Sequence, residues 1–365
     1  MVWTVTPTQQ AALLDNHNMS TKVSVVRGGT SLGDIPVVSA SITATYNTQG
    51  GRDGSIVVDK ELIDSGLLNP LSDQVYIRTG ISGVVDIPIF TGRVDSQVLE
   101  MPDGKVEVPL LSRSAEAIRA AFETPWAATD GNQARMEMAK ILQNVNPAWT
   151  VDYSHARDVL IPSGLVWEDD LGQAMDQLAR GASLIWQPDR TGGFTIYTNP
   201  YFIGVSAPST GIVFRDGENG VTVNVQAAKS REGIYNSVTV VAERYGNQVP
   251  VRVTVRDNNS ASPTYWGGVF GKQNLVVKSQ LPIDVNGCEE LATRVLRQSL
   301  SLQRSWTITL PHFPLLDPGD VFALWFDGEI TTQVAESVQY AGSAQDSTVI
   351  NSRELRQISA EVIAS

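Results

Sequence analysis

The chain has 365 residues, 42% of them apolar, enough to fill the cores of two or three domains. A formal net charge of −12 argues against non-specific binding of nucleic acid, since phosphates are repelled by the net charge, and leaves room for a nucleic acid that passes without binding. No run approaches the roughly 18 consecutive apolar residues of a membrane span, and Met1-Val2-Trp3-Thr4 lacks the basic and apolar regions of a signal peptide.

Residues 1–19 read as an arm, with a short helix over Thr8–Leu14 ended by Asp15-Asn16-His17-Asn18. Strands start at Lys22: Val23–Val26, a turn at Gly28-Gly29, then a run from Ile35. Ser39–Tyr46 alternates, placing Ala40, Ile42, Ala44 and Tyr46 on one face. Turns at Gly50-Gly51 and Asp53-Gly54 lead to a strand at Ile56–Val58, and Asp59–Gly66 suits a short helix ended by Gly66. Strands at Val75 and Ile87 follow, and Pro102-Asp103-Gly104 turns a hairpin between Val94–Leu99 and Val106–Leu110. So many short strands in sequence close as a small antiparallel barrel over residues 20–111.

At Ser112 the period changes, and residues 112–200 read as a small mixed unit of helices beside a hairpin. Ser112 or Ser114 caps a helix carrying Ile118, Ala121 and Phe122, which stops before Pro125. Asp130 with Gln133 resembles a capping box for a helix whose buried stripe is Met138, Ile141, Leu142 and Val145. A third helix begins at Glu168-Asp169-Asp170, acids that suit the positive end of the helix dipole. Leu171, Ala174, Met175 and Leu178 form its stripe, and Gly181 is expected to stop it. Ser183–Gln187 and Phe194–Tyr197 then form a hairpin.

Residues 201–365 return to β structure as a second barrel, with a loop insertion near 243–280. Ile234–Val241 is a strong strand, and the alternating Val249–Val255 reads as an edge strand because of Pro250. Asn286 and Glu289 are expected to cap the longest helix, which runs to about Leu302 and buries Leu291 and Val295. Trp306, Ile308 and Leu310 alternate with threonines as a strand. Leu315-Leu316-Asp317-Pro318-Gly319-Asp320 is a tight turn before the strand Val321–Phe326. Asp327-Gly328 then makes a hairpin with a return strand to Tyr340. Strands at Thr348–Asn351 and Leu355–Val362 complete the tail.

The turn at Leu315–Asp320 has an earlier echo. Leu67-Leu68-Asn69-Pro70-Leu71-Ser72-Asp73 also sets two leucines, a Pro-centred turn and an Asp before a strand, here Val75–Arg78 with a return strand from Phe90 to Val94. The echo indicates two units of one architecture in a single chain.

Chemistry is sparse. His17, His155 and His312 stand in unrelated contexts without the spacing of metal ligands. The lone Cys288 reads as a small buried apolar group in a helix. Gly28-Gly29-Thr30 lacks the Lys of a phosphate loop, and no Gly-x-Ser-x-Gly elbow occurs. Asp216-Gly217-Glu218-Asn219-Gly220 misses the Ca²⁺ loop spacing and reads as a solvated turn. Glu168-Asp169-Asp170 is explained by the helix dipole rather than by a glycosidase pair, and Trp266 by anchoring of a long loop. No catalytic residue, metal site or cofactor site is expected.

One charge pattern stands out. Between Arg304 and Arg353 there is no Lys or Arg, while Asp317, Asp320, Asp327, Glu329, Glu336 and Asp346 supply six acids. Unpartnered buried carboxylates are costly, so this run reads as surface rather than core. An ordinary solvated face would account for it. Were the chain to form a ring around a channel, at least two of Asp327, Glu329 and Glu336 are expected to point into it.

The barrel-like start, the insert with Glu168–Tyr197, the run Ile234-Tyr235-Asn236-Ser237-Val238 before the capped helix, and Leu316-Asp317-Pro318-Gly319-Asp320-Val321 together resemble the hub proteins of phage tail tips and baseplates. The likeness is greatest to the minor tail proteins of phages that infect actinobacteria. It implies a mainly β chain in which two antiparallel tube-like barrels flank a small helical and hairpin domain. It further implies a homotrimer whose six barrels form a pseudo-six-fold ring on the hexameric tail tube. The implied partners are a distal tail protein or tube ring and other tip or fibre proteins. Tape-measure protein and DNA would pass through without specific binding. Such a protein is made in the host cytoplasm and ends in the virion. The chain shows no peptidase, lysozyme or fibre module, which leaves a structural role. Two other classes fit less of the chain: a distal tail ring protein with a host-binding module, and a carbohydrate-binding or hydrolysing β protein resting on Trp266 and the acidic clusters. Assembly separates them, as trimer, hexamer, or monomer and dimer.

Overall fold

The computed structural model describes residues 4–14, 19–46, 51–94, 98–207, 209–217, 220–243, 250–281, 284–343 and 346–364. The helix end at Asp15–Asn18 with His17, the Gly50 side of a turn, Glu218, Asn219 and Val249 lie outside them.

The N-terminal part holds helix α1 (Pro7–Leu14) and strands β1 (Met19–Arg27), β2 (Thr30–Ile35), β3 (Ser39–Thr45) and β4 (Arg52–Asp59). Helix α2 (Lys60–Asp64) and strands β5 (Asp73–Ile81), β6 (Val85–Val94), β7 (Leu99–Glu100) and β8 (Lys105–Ser112) follow. The middle part comprises α3 (Arg113–Arg119), β9 (Trp126–Ala127), α4 (Ala134–Val145), β10 (Val151–Asp152), β11 (Val166–Trp167), α5 (Leu171–Ala182), β12 (Leu184–Pro188), β13 (Phe194–Thr198) and α6 (Pro200–Ile203). Then come β14 (Val213–Arg215), β15 (Asn224–Lys229), β16 (Ser237–Ala242), β17 (Arg252–Asp257) and β18 (Asn274–Ser279). The long helix α7 (Val285–Ser301) leads to β19 (Arg304–Leu310), β20 (Val321–Phe326), β21 (Glu329–Tyr340), β22 (Thr348–Glu354) and β23 (Ala360–Ala364). The chain is mainly β, with predominantly antiparallel pairing, as the short alternating runs require.

The N- and C-terminal parts share one sheet, ordered β15-β19-β22-β21-β3-β4-β8-β6-β5-β1-β2, with β20 on β21, β14 on β20 and β7 on β8. The order repeats. The first part runs β3-β4-β8-β6-β5-β1 and the second β15-β19-β22-β21-β20-β14, and each strand keeps the same place in chain order. Four of the five pairings match in sense; the fifth is antiparallel for β1·β5 and parallel for β14·β20. The two sets join where Ser337–Tyr340 of β21 pair with Ile42–Thr45 of β3. One apolar core, from Val23 and Ile56 to Trp306 and Ile350, runs under both.

The middle part has its own core, in which Met138, Ile141 and Leu142 of α4 meet Leu171, Met175 and Leu178 of α5 over Trp186 and Phe194. The stripes lie as their spacing predicts, and Asp170 caps α5 by accepting from Gln173 N at 2.8 Å. Two details differ. Asp130 belongs to the turn at Gly131, so α4 starts from Gln133 without a side-chain cap. Gly181 does not stop α5: its missing Cβ gives room to Leu281, and Ser183, in the left-handed region at φ 55°, ends the helix.

Strands β18-β16-β17-β23 form a separate four-stranded sheet packed on α7 through Val238, Val240, Val253, Leu291 and Leu296. Here β17 is internal rather than an edge, because it begins at Arg252, past Pro250, and the proline ring removes no ladder bond. The cap of α7 also differs from expectation. Asp284, not Asn286 with Glu289, holds the extended N-cap position and accepts from Gly287 N at 2.7 Å. Leu291 and Cys288 are buried against the sheet, and Val295 is half-buried.

Candidate functional site

The three regions of chain meet at the turn Leu315–Asp320. Asp317 lies in the core, and its Oδ1 accepts from Arg52 Nη2 of β4 at 2.6 Å. Its Oδ2 accepts from Arg190 Nε at 2.8 Å, Arg190 standing on the turn between β12 and β13. The Tyr340 hydroxyl of β21 is 2.7 Å from Oδ1. Arg190 also donates to the carbonyls of Leu315 at 3.1 Å and Leu316 at 2.8 Å, and to that of Pro314. Gly319, at φ +86°, lets the turn close on Tyr197 of β13, whose hydroxyl occupies the space a Cβ would need.

Burial alone would raise the Asp317 carboxyl, yet the two guanidiniums outweigh it and hold the group well below the usual carboxylate range. The same carboxylate holds Arg52 and Arg190 above the usual guanidinium range against the opposing effect of burial. Asp320, also buried, goes the other way: burial raises it, and its Oδ2 accepts from Asp317 N at 2.8 Å. The earlier turn shares the backbone bond, Asp73 Oδ2 accepting from Asn69 N at 2.7 Å, but there the same Asp73 also takes the arginine, its Oδ1 accepting from Arg27 Nε at 2.7 Å.

Asp317 and Asp320 therefore correct the reading of residues 304–353 as surface. The run has no internal cations, but Arg52 and Arg190, far away in sequence, supply them. Arg52, Arg190 and Tyr340 carried no local signal of this role. The Asp common to the two echoing turns is Asp320, matched by Asp73, so the echo marked the turn and not the carboxylate that binds the two guanidiniums.

The three acids expected to line a channel do not stand together. Asp327 is at the β20–β21 hairpin tip with φ 53°, and its N donates to Asp216 Oδ2 at 3.2 Å. Glu329, with 72% of its side chain exposed, begins β21 at 3.8 Å from Arg304. Glu336 instead turns to its own chain, accepting from the Tyr201 hydroxyl at 2.6 Å and lying 3.5 Å from Arg353. Burial raises its carboxyl.

Two of the remaining candidates have structural partners. His312 is buried with Nε2 2.8 Å from Thr79 Oγ1, which ties the segment after β19 to β5. Trp266 lies under the Arg256 guanidinium at 4.7 Å and the Lys272 ammonium at 5.6 Å. Among the described residues no group of three His, Cys, Asp or Glu is arranged to hold a metal ion, and no helix is long and apolar enough to cross a membrane.

No protein-family model matches the sequence, and no curated protein does. Solved structures match the fold over most of the chain. A tail protein from Neisseria meningitidis MC58 aligns with a TM-score of 0.65 at 12% identity, covering 92% of this chain and 96% of that one. The 43 kDa tail protein of prophage MuSo2 from Shewanella oneidensis aligns at 0.61 and 12% identity, covering 91% and 98%. Prophage tail protein gp18 from Listeria monocytogenes EGD-e gives 0.59 and 11% identity, covering 91% and 94%. This is the fold of phage tail proteins. It also extends to an Escherichia coli component of the type VI secretion system, which itself resembles the T4 tail proteins gp27 and gp5, at a TM-score of 0.51 and 12% identity.

Proposed function

We propose that the chain is a non-enzymatic structural hub of a phage tail tip or baseplate, akin to the minor tail proteins of phages of actinobacteria. It assembles as a homotrimer whose two barrel-like halves per copy make a pseudo-six-fold ring. The ring joins a hexameric tail tube or distal tail protein to the tip and fibre proteins, and DNA and tape-measure protein pass through it. The repeated six-strand order carries this reading, because a ring that meets a six-fold tube with three copies needs two like units in each.

The register of the repeat supports a specific seam. In the first half Ala40 faces Ile56, which faces Val108; in the second Val225 faces Ile308, which faces Ile350. Thr43 of β3 thus corresponds to Ala228 of β15. Leu99 faces Glu107 as Gln339 faces Val349, so Leu99 of β7 corresponds to Gln339 of β21. Inside the chain Gln339 pairs with Thr43. Between copies the equivalent pair is Leu99 with Ala228, both exposed and on segments with a free edge.

Facing strand positions bring Cβ atoms about 4.5–5.5 Å apart, close enough for a disulfide after small adjustment. Leu99→Cys combined with Ala228→Cys is expected to give oxidised trimers of covalently linked chains, with neither single variant linking; the buried Cys288 stays inert. Mass photometry of the wild type reads the stoichiometry independently. Trimers without cross-links would refute the seam, and monomers or hexamers would refute the hub.

A further inference from the structure

A cavity of about 480 Å³ lies between α5, the C-terminal end of β18 and α7, with Tyr46 at its inner wall. Its size is that of a small-molecule pocket. Arg294 of α7 lines it and is only 7% exposed. Its Nη1 donates to Gln298 Oε1 at 3.0 Å and its Nη2 to the Arg180 carbonyl at 3.4 Å, both neutral acceptors. The Nε–H has no acceptor, and among the described residues no carboxylate lies within ion-pair distance. The Tyr46 hydroxyl, 7% exposed as a residue, also has no hydrogen-bond partner. Both residues line the cavity, and each carries a deeply buried donor that no protein group satisfies, one of them on a cation. Desolvation lowers Arg294 to about 10, which leaves it charged at neutral pH.

The other charges at the cavity are near the mouth and already paired. Lys278 Nζ is 3.6 Å from Glu243 Oε1, and Arg180 Nη2 is 3.8 Å from Asp176 Oδ2. The remaining lining includes the aliphatic Leu184, Ile185, Val277 and Leu291. A ligand that fits must accept hydrogen bonds, carry about one negative charge and present an apolar body. A phosphate dianion fails on the last two counts, since one deep guanidinium does not offset its desolvation.

We propose that this cavity is a binding site for a carboxylate with a short aliphatic body, held by Arg294 and Tyr46. The carboxylate is either a free small molecule or an acidic side chain beside an apolar one on a neighbouring copy. A guanidinium edge and a phenol hydroxyl are the donor set such a group takes.

The test uses the full chain with hexanoate as probe, and hexanol and inorganic phosphate as controls, read by calorimetry and by the ¹⁵N resonance of Arg294 Nε. Hexanoate is expected to bind and to shift that resonance, while hexanol and phosphate bind at least about tenfold more weakly. Arg294→Met should keep the unliganded melting temperature near that of the wild type, because it deletes an uncompensated buried cation, and should lose hexanoate binding by about tenfold or more. Arg294→Lys retains charge without the fork and should bind weakly. Binding in both dilute and assembled protein identifies a free ligand, and binding only in the dilute state identifies a neighbour's side chain. No hexanoate binding in either state, equal binding by phosphate, or unchanged binding in Arg294→Met overturns the proposal. A collapse of the unliganded fold in both variants would make Arg294 structural and overturn it too.

Discussion

Asp317 ties together stretches of chain that are up to 265 residues apart. A carboxylate shared by two buried guanidiniums is a poor source of net stability, but breaking it leaves two buried cations facing each other. Asp317→Asn is therefore expected to destabilise the chain by about 3–5 kcal/mol in chemical denaturation, the range for a broken buried pair. The pH dependence has a definite sign. The folded carboxyl sits below its unfolded value of about 3.9, so its contribution is present above that value and is lost as pH falls through the folded one. Wild-type stability should fall with acid below about pH 4 more steeply than that of Asp317→Asn; parallel curves would place the linkage elsewhere. This cluster also marks what the sequence conceals. An acid's burial depends on partners that contact it only after folding, and nothing near Asp317 announces Arg52 or Arg190.

The elements themselves were far more legible. Alternation located β3, β19 and β21, and three- and four-residue spacing located α4, α5 and α7, because burial of one face imposes those periods. Helix starts were read less well. For α7 the expectation rested on Asn286 and Glu289, whereas Asp284 has the extended backbone that leaves its side chain free to accept from Gly287 N. Asp284→Ala should cost about 0.5–2 kcal/mol, while Asn286→Ala should be close to neutral. Comparable losses from both would mean that the first turn is held by something other than this cap. The misread edge at β17 has a similar origin, since a proline constrains only the residues whose ladder bonds it would remove.

At the scale of the molecule, the echo of two short turns proved to mark a repeated six-strand order, a relation that lies in hydrogen-bond pairing and not in residue identity. The acids expected at a channel are to be judged at this same scale. Glu336 is satisfied within its own chain, so its charge serves Tyr201 and Arg353 first. Asp327 and Glu329 remain together at the exposed end of the β20–β21 hairpin. In a ring built through the β7 and β15 edges, we expect this hairpin end in each copy to face the central axis. There its carboxylates repel passing phosphates, over a range limited by screening to about 10 Å at 0.1 M salt. Cryo-EM of the assembled tip should place both carboxylates on the channel wall. Lysine at the two positions should leave the trimer mass unchanged while making the ring retain DNA at low salt, and high salt should release it. If both acids stand on the outer rim, or if the lysine ring retains DNA no better than the wild type, the acids serve only to solvate the hairpin.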